Sequence, residues 1–433
     1  MHISDVTLPD GTRCDIRIED GKFLAVASNI AGDPDIDAEG RLALPGAIDV
    51  HVHFREPGHE HKETWATGSR AAAAGGVTTV IDQPNTDPPT VDRESFRQKA
   101  TLAAESSLVD FGINGGVTGD WRPDELFDEP ITALGEVFMA DSTGELGIDI
   151  EQFERAVGLA AEHDVLVTVH AEDASHFDDS VRSRDDPSAW SAYRTTEAEV
   201  AATERAIEIG ARYDGSMHLA HASTPTAIDL ALDAGWSCEV TPHHLLLSQN
   251  DLDELGTFGR MNPPLRTEDQ REAIYERVAA GDVTMIATDH APHTVDEKQT
   301  DIWSAPSGVP GVETMVPLLL AEVNAGRLTH EAVARLTAHA PGRRFGLDGK
   351  GRIQPGYEAD LVLVDPDRSR TIRADELVTA CGWTPFEGSE GVFPELTLSR
   401  GSIVYSDPTS SLEIPAELAV DRFGDTRGRN VRE

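Results

Sequence analysis

Two patterns of hydrophobic and polar positions divide this chain. Near both ends the runs are short: residues 15–20 alternate polar and apolar side chains, and strand-like runs recur at 359–365 and 396–399. Alternation with a period of two buries one face of an extended segment, which is typical of β-strands. We therefore predict that residues 1–44 and 346–433 together form one small composite β-sandwich domain.

The long middle, residues 45–345, repeats a short apolar run followed by a segment with helical spacing. The strand candidates are residues 47–50, 77–81, 137–139, 165–169, 216–220 and 283–287. The clearest helix candidates are residues 65–74, 150–162 and 197–213. This alternation predicts a parallel α/β fold. Because successive strand candidates end in His, Asp or Asn, a (β/α)8 TIM barrel is favoured over a doubly wound sheet. A barrel gathers the carboxyl ends of its strands into one site.

The net charge of the chain indicates the kind of solution in which it works and one class of partner that it does not bind. Asp and Glu number 77 against 36 Lys and Arg, which gives a formal net charge of −41, and the acids are spread along the whole sequence. Self-repulsion of this size destabilises a compact fold unless salt screens it, so we predict a halophilic protein adapted to a very salty cytoplasm. The same surface argues against a nucleic-acid partner, because phosphate contacts need clustered Lys and Arg.

Other features of the composition bear on compartment and mobility. No apolar run reaches the length of about 18 residues that a membrane span needs, and the first residues lack the pattern of a secretory signal. Three widely separated cysteines, Cys14, Cys238 and Cys381, are typical of buried thiols in a reducing compartment. We predict a cytoplasmic protein without a membrane partner, whose charged last residues, 421–433, are mobile.

Histidines and acids at the strand ends carry the candidate chemistry. His51, His53 and Arg55 are spaced by two and therefore share one face of a strand end. His170, His221 and Asp289 each close another apolar run. Taken singly, each has an alternative interpretation as a capping, loop or core residue. Because strand ends of a barrel share one face, the set together predicts a site for divalent metal ions.

Five segments resemble one known family. They are HVHFREPG at 51–58, DQPNT at 82–86, MNPPLR at 261–266, TDHAPH at 288–293 and PGRRFGL at 341–347. In this order they are similar to the signatures of the amidohydrolase superfamily, in the form found in its dihydroorotase branch of cyclic amidohydrolases. The resemblance covers nearly the whole chain, and it implies a TIM barrel that holds zinc, two ions per subunit.

The resemblance also implies roles for the matching residues. His51, His53 and Asp289 would hold one metal ion, and His170 and His221 the other. Asp289 would also act as general base and then as general acid. The substrate's carboxylate would be held by Arg55, Asn85 and His293, and its ring by Asn262. A structural salt bridge is the alternative for Arg55, and turn formation beside Pro84 and Pro263 is the alternative for Asn85 and Asn262.

The chain departs from the family pattern at the ligand between the two metals. Many relatives use a carboxylated lysine there, whereas the alignment of residues 135–144 places Glu136 at that position. Asp141 is the alternative bridge, and a third alternative is that no protein side chain bridges the ions.

The resemblance implies the reversible closure of N-carbamoyl-L-aspartate to L-dihydroorotate, a step of pyrimidine biosynthesis that relies on metal-activated water. Two alternatives remain. One is an allantoinase or hydantoinase, whose substrates lack a ring carboxylate and leave Arg55 without a use. The other is an inactive homologue that serves as a partner of aspartate carbamoyltransferase. Homodimer formation and contact with that transferase are further expectations.

Residues 294–306 are predicted to be either a mobile lid or an ordinary exposed loop.

Overall fold

A computed structural model describes residues 1–138 and 147–433. The strands are β1 (His2–Thr7), β2 (Arg13–Glu19), β3 (Lys22–Ala27), β4 (Ile36–Asp37), β5 (Leu42–Pro45), β6 (Ala47–Val52), β7 (Val77–Asp82), β8 (Asp110–Ile113), β9 (Leu134–Phe138), β10 (Val167–His170), β11 (Met217–Leu219), β12 (Ser237–Val240), β13 (Met285–Ile286), β14 (Leu361–Val364), β15 (Ser369–Thr371), β16 (Glu390–Val392), β17 (Leu396–Ser399) and β18 (Ser402–Ser406).

The helices lie between these strands. They are α1 (Trp65–Ala74), α2 (Arg93–Ser106), α3 (Pro123–Leu126), α4 (Ile150–Glu162), α5 (Ala189–Tyr193), α6 (Thr196–Gly210), α7 (Pro225–Asp233), α8 (Pro242–Leu246), α9 (Leu252–Leu255), α10 (Glu268–Ala280), α11 (Val295–Lys298), α12 (Met315–Asn324), α13 (His330–Ala334) and α14 (Ala340–Arg344). None of those in the described ranges is long and apolar enough to cross a membrane.

Eight parallel strands, β6 to β13, form the barrel. β6, β7 and β8 pair in order, and β9 to β13 pair in order. Gly115 pairs with Leu134 across the first seam, and Val52 pairs with His290 across the second, so the ring closes. The predicted (β/α)8 barrel is confirmed, and the carboxyl ends of its strands meet at one face.

Capping residues explain why the predicted helices begin where they do. The Thr64 side chain accepts a hydrogen bond from the backbone N–H of Thr67, whose own side chain accepts from the Thr64 N–H, and α1 follows. The Asp149 side chain accepts from the Gln152 N–H at the start of α4. Such caps satisfy backbone donors that the first helical turn leaves unpaired.

The two end segments of the sequence form a sheet-rich domain, as predicted. Its main sheet has the order β18–β17–β14–β5–β1–β2–β3, with β4 added beside β1. Strand β5 joins the two ends, because it pairs with β1 on one side and with β14 on the other. An apolar cluster that includes Ile16, Phe23, Leu361 and Leu398 fills this domain separately from the barrel core. We propose domain boundaries at 44/45 and 345/346, so that residues 1–44 and 346–433 flank a barrel of residues 45–345.

The predicted mobility of residues 421–433 is wrong, because backbone pairing holds Arg422 and Gly424 beside β18 and residues 428–431 beside β8. The backbone N–H groups of Gly428 and Val431 donate to Ser107 and Phe111 at 2.8 and 2.9 Å, and the Phe111 N–H donates to the Arg429 carbonyl at 3.0 Å. The tail thus pairs alongside the first residues of β8. The charged composition suggested mobility, but backbone pairing holds the segment regardless of its side chains.

Candidate metal centre

The carboxyl ends of the barrel strands bring the predicted ligands together. His51 lies on β6, Glu136 on β9 and His170 at the end of β10, while His221 follows β11 and Asp289 follows β13. His53, one residue beyond β6, completes the set. All six residues are buried, with at most 6% of each exposed. The grouping that the spacing of strand ends predicted is therefore present.

Glu136 occupies the middle of the four histidines. Its Oε1 lies 2.9 Å from His170 Nδ1 and in close contact with His221 Nε2. Its Oε2 lies 3.4 Å from His51 Nε2 and 3.8 Å from His53 Nε2. One carboxylate thus faces all four imidazoles, which is the position expected of a bridging ligand. Asp141, the alternative bridge, lies outside the described residues.

Partners on the outer ring nitrogens fix how three of the imidazoles face the centre. Glu239 Oε1 lies 2.5 Å from His51 Nδ1, Asn85 Oδ1 lies 2.5 Å from His53 Nδ1, and Glu172 Oε2 lies 2.9 Å from His170 Nε2. A hydrogen-bonded outer nitrogen leaves the inner nitrogen's lone pair available for a metal ion. This arrangement is typical of histidines that bind metals.

The donor set fits divalent cations. His51, His53 and Asp289 form one group, and His51, Glu136 and His221 form another, with ligand atoms within 4.8 Å of one another in each. Buried His51 Nε2 has no hydrogen-bond partner among the described residues. It lies 3.5 Å from Asp289 Oδ1, which leaves room for a cation between the imidazole and the carboxylate. Imidazole nitrogen and carboxylate oxygen are ligands that zinc accepts.

The charge balance of the centre also favours divalent cations. Burial alone would raise the pKa of Glu136, but His221 and His51 outweigh it and hold that pKa well below its usual range. Burial likewise disfavours the charged form of His170, yet the adjacent Glu136 and Glu172 raise its pKa to about 9. Several buried carboxylates therefore demand positive charge in one small volume, and divalent cations would supply it.

Three site residues adopt a backbone conformation that is rare for non-glycine residues. The φ angles are 66° for Arg55, 32° for His221 and 46° for Asp289. Left-handed backbone costs about 1–3 kcal/mol at each such position and persists only where the surrounding structure imposes it. Here it occurs where each chain segment leaves its strand and turns a functional side chain toward the centre.

A cavity beside the centre is lined by an arginine that has no carboxylate partner among the described residues. Its lining includes Arg55, Asn85, Asn262, Asp289 and Gly308. Arg55 is buried, and burial lowers its pKa to about 10, so it remains charged at neutral pH. Within residues 1–138 and 147–433, no carboxylate lies within 4.0 Å of its guanidinium. Its Nε donates to the Pro292 carbonyl at 3.3 Å, and its Nη2 lies 3.3 Å from His293 Nε2. The alternative of a structural salt bridge therefore finds no partner in this part of the chain.

The other predicted substrate contacts also border this cavity or Arg55. Asn85 lines the cavity while its Oδ1 contacts His53, as described above. Asn262 Oδ1 accepts a hydrogen bond from the Trp190 indole at 3.0 Å. His293 Nε2 lies 3.0 Å from the Ser307 carbonyl, and its Nδ1 lies 3.3 Å from Lys62 Nζ. Burial, together with Arg55 and Lys62, holds the pKa of His293 well below its ordinary value, so this imidazole is neutral.

Sequence reasoning missed the carboxylates that support the histidines. Glu239 contacts His51 Nδ1 and lies 3.0 Å from His218 Nε2, and Glu172 contacts His170 while it accepts hydrogen bonds from Arg194. A weak signal existed for Glu172, because it follows His170 at a spacing of two. Glu239 lies inside β12 between apolar residues, and a buried acid in a strand is itself a sign of a specific partner.

Comparison with known proteins gives three similarities. The amidohydrolase family model matches residues 42–393. The chain is 56% identical over 432 residues to a dihydroorotase of Halobacterium salinarum, covering 100% of this chain and 99% of that protein. It is 36% identical over 398 residues to an allantoinase of Rubrobacter xylanophilus, covering 86% of each.

Solved structures agree with the fold. An L-hydantoinase (dihydropyrimidinase) from Arthrobacter aurescens superimposes with a TM-score of 0.90 at 27% identity, over 94% of this chain and 96% of that one. The similarity therefore extends over the barrel and the β domain together.

Proposed function

This chain belongs to the amidohydrolase family, and from that premise we propose that it is a dihydroorotase, which interconverts N-carbamoyl-L-aspartate and L-dihydroorotate in pyrimidine biosynthesis. The proposal rests on one observation above all. A buried, charged arginine without a carboxylate partner in the described structure faces a cavity beside a cluster of metal-ligating side chains. A substrate that carries both a cyclic amide and a free carboxylate satisfies both features.

The metal part of the proposal is two zinc ions per chain. His51, His53 and Asp289 would hold one ion, His170 and His221 the other, and Glu136 would bridge them. The 2.9 Å contact of Glu136 with His170 and the 3.4 Å distance to His51 support the bridge, because one carboxylate reaches both ligand groups. When bound, the ions would lower the pKa of a water molecule and polarise the amide carbonyl.

The residues of the chain would perform the remaining steps. Arg55 pairs with the carboxylate, His293 and Asn85 complete that contact, and Asn262 holds the ring. In ring opening, Asp289 accepts the proton of the attacking water and delivers it to the ring nitrogen as the carbon–nitrogen bond breaks. Its Oδ1 lies 3.0 Å from His53 Nε2 and its side chain lines the cavity, which is where such a shuttle is required.

A second candidate is an allantoinase or hydantoinase, favoured by the 36% identity to an allantoinase and by the hydantoinase superposition. The 56% identity to a dihydroorotase over the whole chain and the presence of Arg55 favour the first candidate. An inactive partner of aspartate carbamoyltransferase is a poorer fit, because the set of ligands is complete. We also propose a homodimer, contact with that transferase and a cytoplasmic location.

The cytoplasmic location is supported by three buried free thiols.

The test is the rate of L-dihydroorotate ring opening by the purified protein in molar KCl, with allantoin and hydantoin assayed alongside. We expect dihydroorotate to be opened, a chelator to abolish the rate and zinc to restore it. Turnover of allantoin or hydantoin without turnover of dihydroorotate would move the assignment to the second candidate. No turnover of any of them by folded, zinc-loaded protein would favour the inactive partner.

A further inference from the structure

Lys298, at the end of α11, has a buried ammonium group that the proposed reaction does not use. Its Nζ donates to the carbonyl oxygens of Arg260 and Pro306 at 2.9 Å each and of Gly308 at 3.2 Å. The residue is 0% exposed, and no carboxylate lies within 4.0 Å of Nζ in the part of the chain that the structure describes. Burial and the nearby Arg260 lower the pKa of Lys298, whereas the three converging carbonyl acceptors stabilise its ammonium form.

The chemistry of the contact explains why a lysine occupies this position. Three carbonyl oxygens converge on one buried point, and each would be costly to leave without a donor. Lysine is the side chain that offers three donors from a single atom. An apolar residue would leave the Pro306 and Gly308 carbonyls without this donor and the Arg260 carbonyl with the Gly308 N–H alone. A guanidinium would spread its donors over a larger planar group.

The carbonyls that Lys298 holds belong to the wall of the candidate active site, defined here as residues 306–308. Within this wall, Lys298 binds the first and third carbonyls and His293 Nε2 donates to the second, that of Ser307. Ser307 and Gly308 line the cavity with Arg55 and Asp289. Gly308 has a φ of 133°, which strongly favours glycine, and a Cβ there would lie 2.5 Å from the Ala291 carbonyl.

The carbonyl of Arg260 links the wall to the segment that carries Asn262, which also lines the cavity. Arg260 lies two residues before Asn262, and its carbonyl accepts from both Lys298 Nζ and the Gly308 N–H. One ammonium group therefore ties together the two segments that carry Asn262 and the wall. The segment 294–306, which the sequence left open as a lid or a loop, is fastened at this point.

We propose that Lys298 is a positioning residue that sets the shape of the substrate pocket by clamping the wall at residues 306–308 to the segment before Asn262. The inference rests on the proposed function only for the identity of the substrate. Lys298 contacts none of the candidate metal ligands, so its loss should change how substrate is held more than how the bond is broken.

The test compares Lys298→Met with Lys350→Met. Lys350 is also buried, but its ammonium binds Asp110, Glu358 and Asp360 rather than the pocket wall. For Lys298→Met we expect KM for L-dihydroorotate to rise about tenfold or more with kcat within about threefold and metal content unchanged. Lys350→Met should lose stability but keep KM. Lys298→Gln, which retains an N–H donor pair, should show an intermediate KM and serves if the Met variant does not fold.

Amide hydrogen exchange separates this inference from the proposed function. A peptide spanning 299–312 should exchange faster in Lys298→Met than in wild type, and not in Lys350→Met, whichever substrate the protein takes. Unchanged exchange there would overturn the clamp, as would a KM equal to that of wild type or equal changes in KM for both lysine variants. An inactive wild-type protein would count against the proposed function alone, because the exchange result still decides the clamp.

Discussion

Arg55 is the residue of this site that bears most directly on the class of substrate. Burial lowers the pKa of its guanidinium to about 10, yet at neutral pH the group remains charged, and its contacts within residues 1–138 and 147–433 are weak ones with Pro292 and His293. A buried charge without a counter-ion is costly, so its retention indicates an anionic ligand. Neutral cyclic amides would leave that cost unrelieved, which is the physical basis for preferring a carboxylate-bearing substrate.

Replacing Arg55 with methionine should therefore raise KM for L-dihydroorotate about a hundredfold or more. Two charged hydrogen bonds are lost, each contributing about 1.5–3 kcal/mol. The measurement is steady-state kinetics in molar KCl, with hydantoin as a control substrate without a carboxylate. An unchanged KM for L-dihydroorotate would remove Arg55 from the proposed carboxylate contact.

Glu136→Gln tests the bridge, because the amide keeps the size of the side chain but removes its charge. We expect at most one metal ion per chain and a rate at least about a hundredfold lower, since a neutral amide is a poor ligand for two cations. Metal analysis after dialysis gives the result. Asp141→Asn is the matched variant, and metal loss there with full retention in Glu136→Gln would reverse the assignment.

Glu313 should make stability depend on pH. Its buried carboxyl accepts from the N–H groups of Val378 and Thr379, yet burial raises its pKa from 4.5 to about 8. The folded state keeps the proton that the unfolded state loses, so this contribution is full below pH 4.5 and disappears as pH rises toward 8. The slope is about 1.4 kcal/mol per pH unit.

Glu313→Gln should remove that decline. Urea unfolding in molar KCl between pH 5 and 8 should show the variant gaining stability relative to wild type as pH rises. Exposed Glu413→Gln is the control and should follow the wild-type profile. Parallel profiles for wild type and Glu313→Gln would show that the carboxyl is ionised when folded.

At the scale of elements, the sequence predicted correctly the helix bounds that depend on neighbouring residues. Helices α1 and α4 begin and end at the predicted residues, because caps at Thr64 and Asp149 coincide with the helical spacing. Strand β8, with the sequence DFGI, gave no apolar run and was missed, since its pairing with β7 creates it. The six central site residues were visible as strand ends or by alignment. Their supporting partner Glu239 was not, because its contact with His51 spans 188 positions of sequence.

The C-terminal tail gives an element-scale prediction at Gly428. A Cβ there would lie 1.8 Å from the Val109 carbonyl, so Gly428→Val must break the pairing beside β8. We expect a loss of more than about 2 kcal/mol in the free energy of unfolding with KM unchanged, because the tail does not border the active-site cavity. Gly119→Ala, where a Cβ meets nothing within 4 Å, should be neutral in stability. Equal stability of the two variants would show that the tail is dispensable.

At the scale of the whole molecule, the lysines are few and mostly buried, which contributes to the acidic surface. Only five of the 36 basic residues are lysines. Three of these, Lys99, Lys298 and Lys350, are buried and hold convergent oxygen atoms. Lysine is thus concentrated where several oxygen atoms converge on one buried nitrogen, while arginine supplies most of the remaining positive charge. The surface is left strongly acidic.

Salt should therefore control stability. At 0.1 M salt, charges interact over about 10 Å, whereas at 1 M they interact over about 3 Å, so repulsion among the excess acids is relieved. We expect Tm to rise by more than about 5 °C between 0.1 and 1 M KCl. Sucrose at equal osmolality is the control, because it favours compactness without screening charge. Equal Tm values at both KCl concentrations would contradict the predicted adaptation to salt.

The pairing of β5 with β14 has a consequence for synthesis on the ribosome. These strands are more than 300 residues apart, and β17 and β18 follow later still. While the barrel emerges, one edge of β5 therefore has no partner and offers its backbone to any neighbouring nascent chain. A translation stop between residues 346 and 360, before β14, would yield a full barrel attached to an open sheet. Such products should be cleared or aggregate despite an intact set of metal ligands.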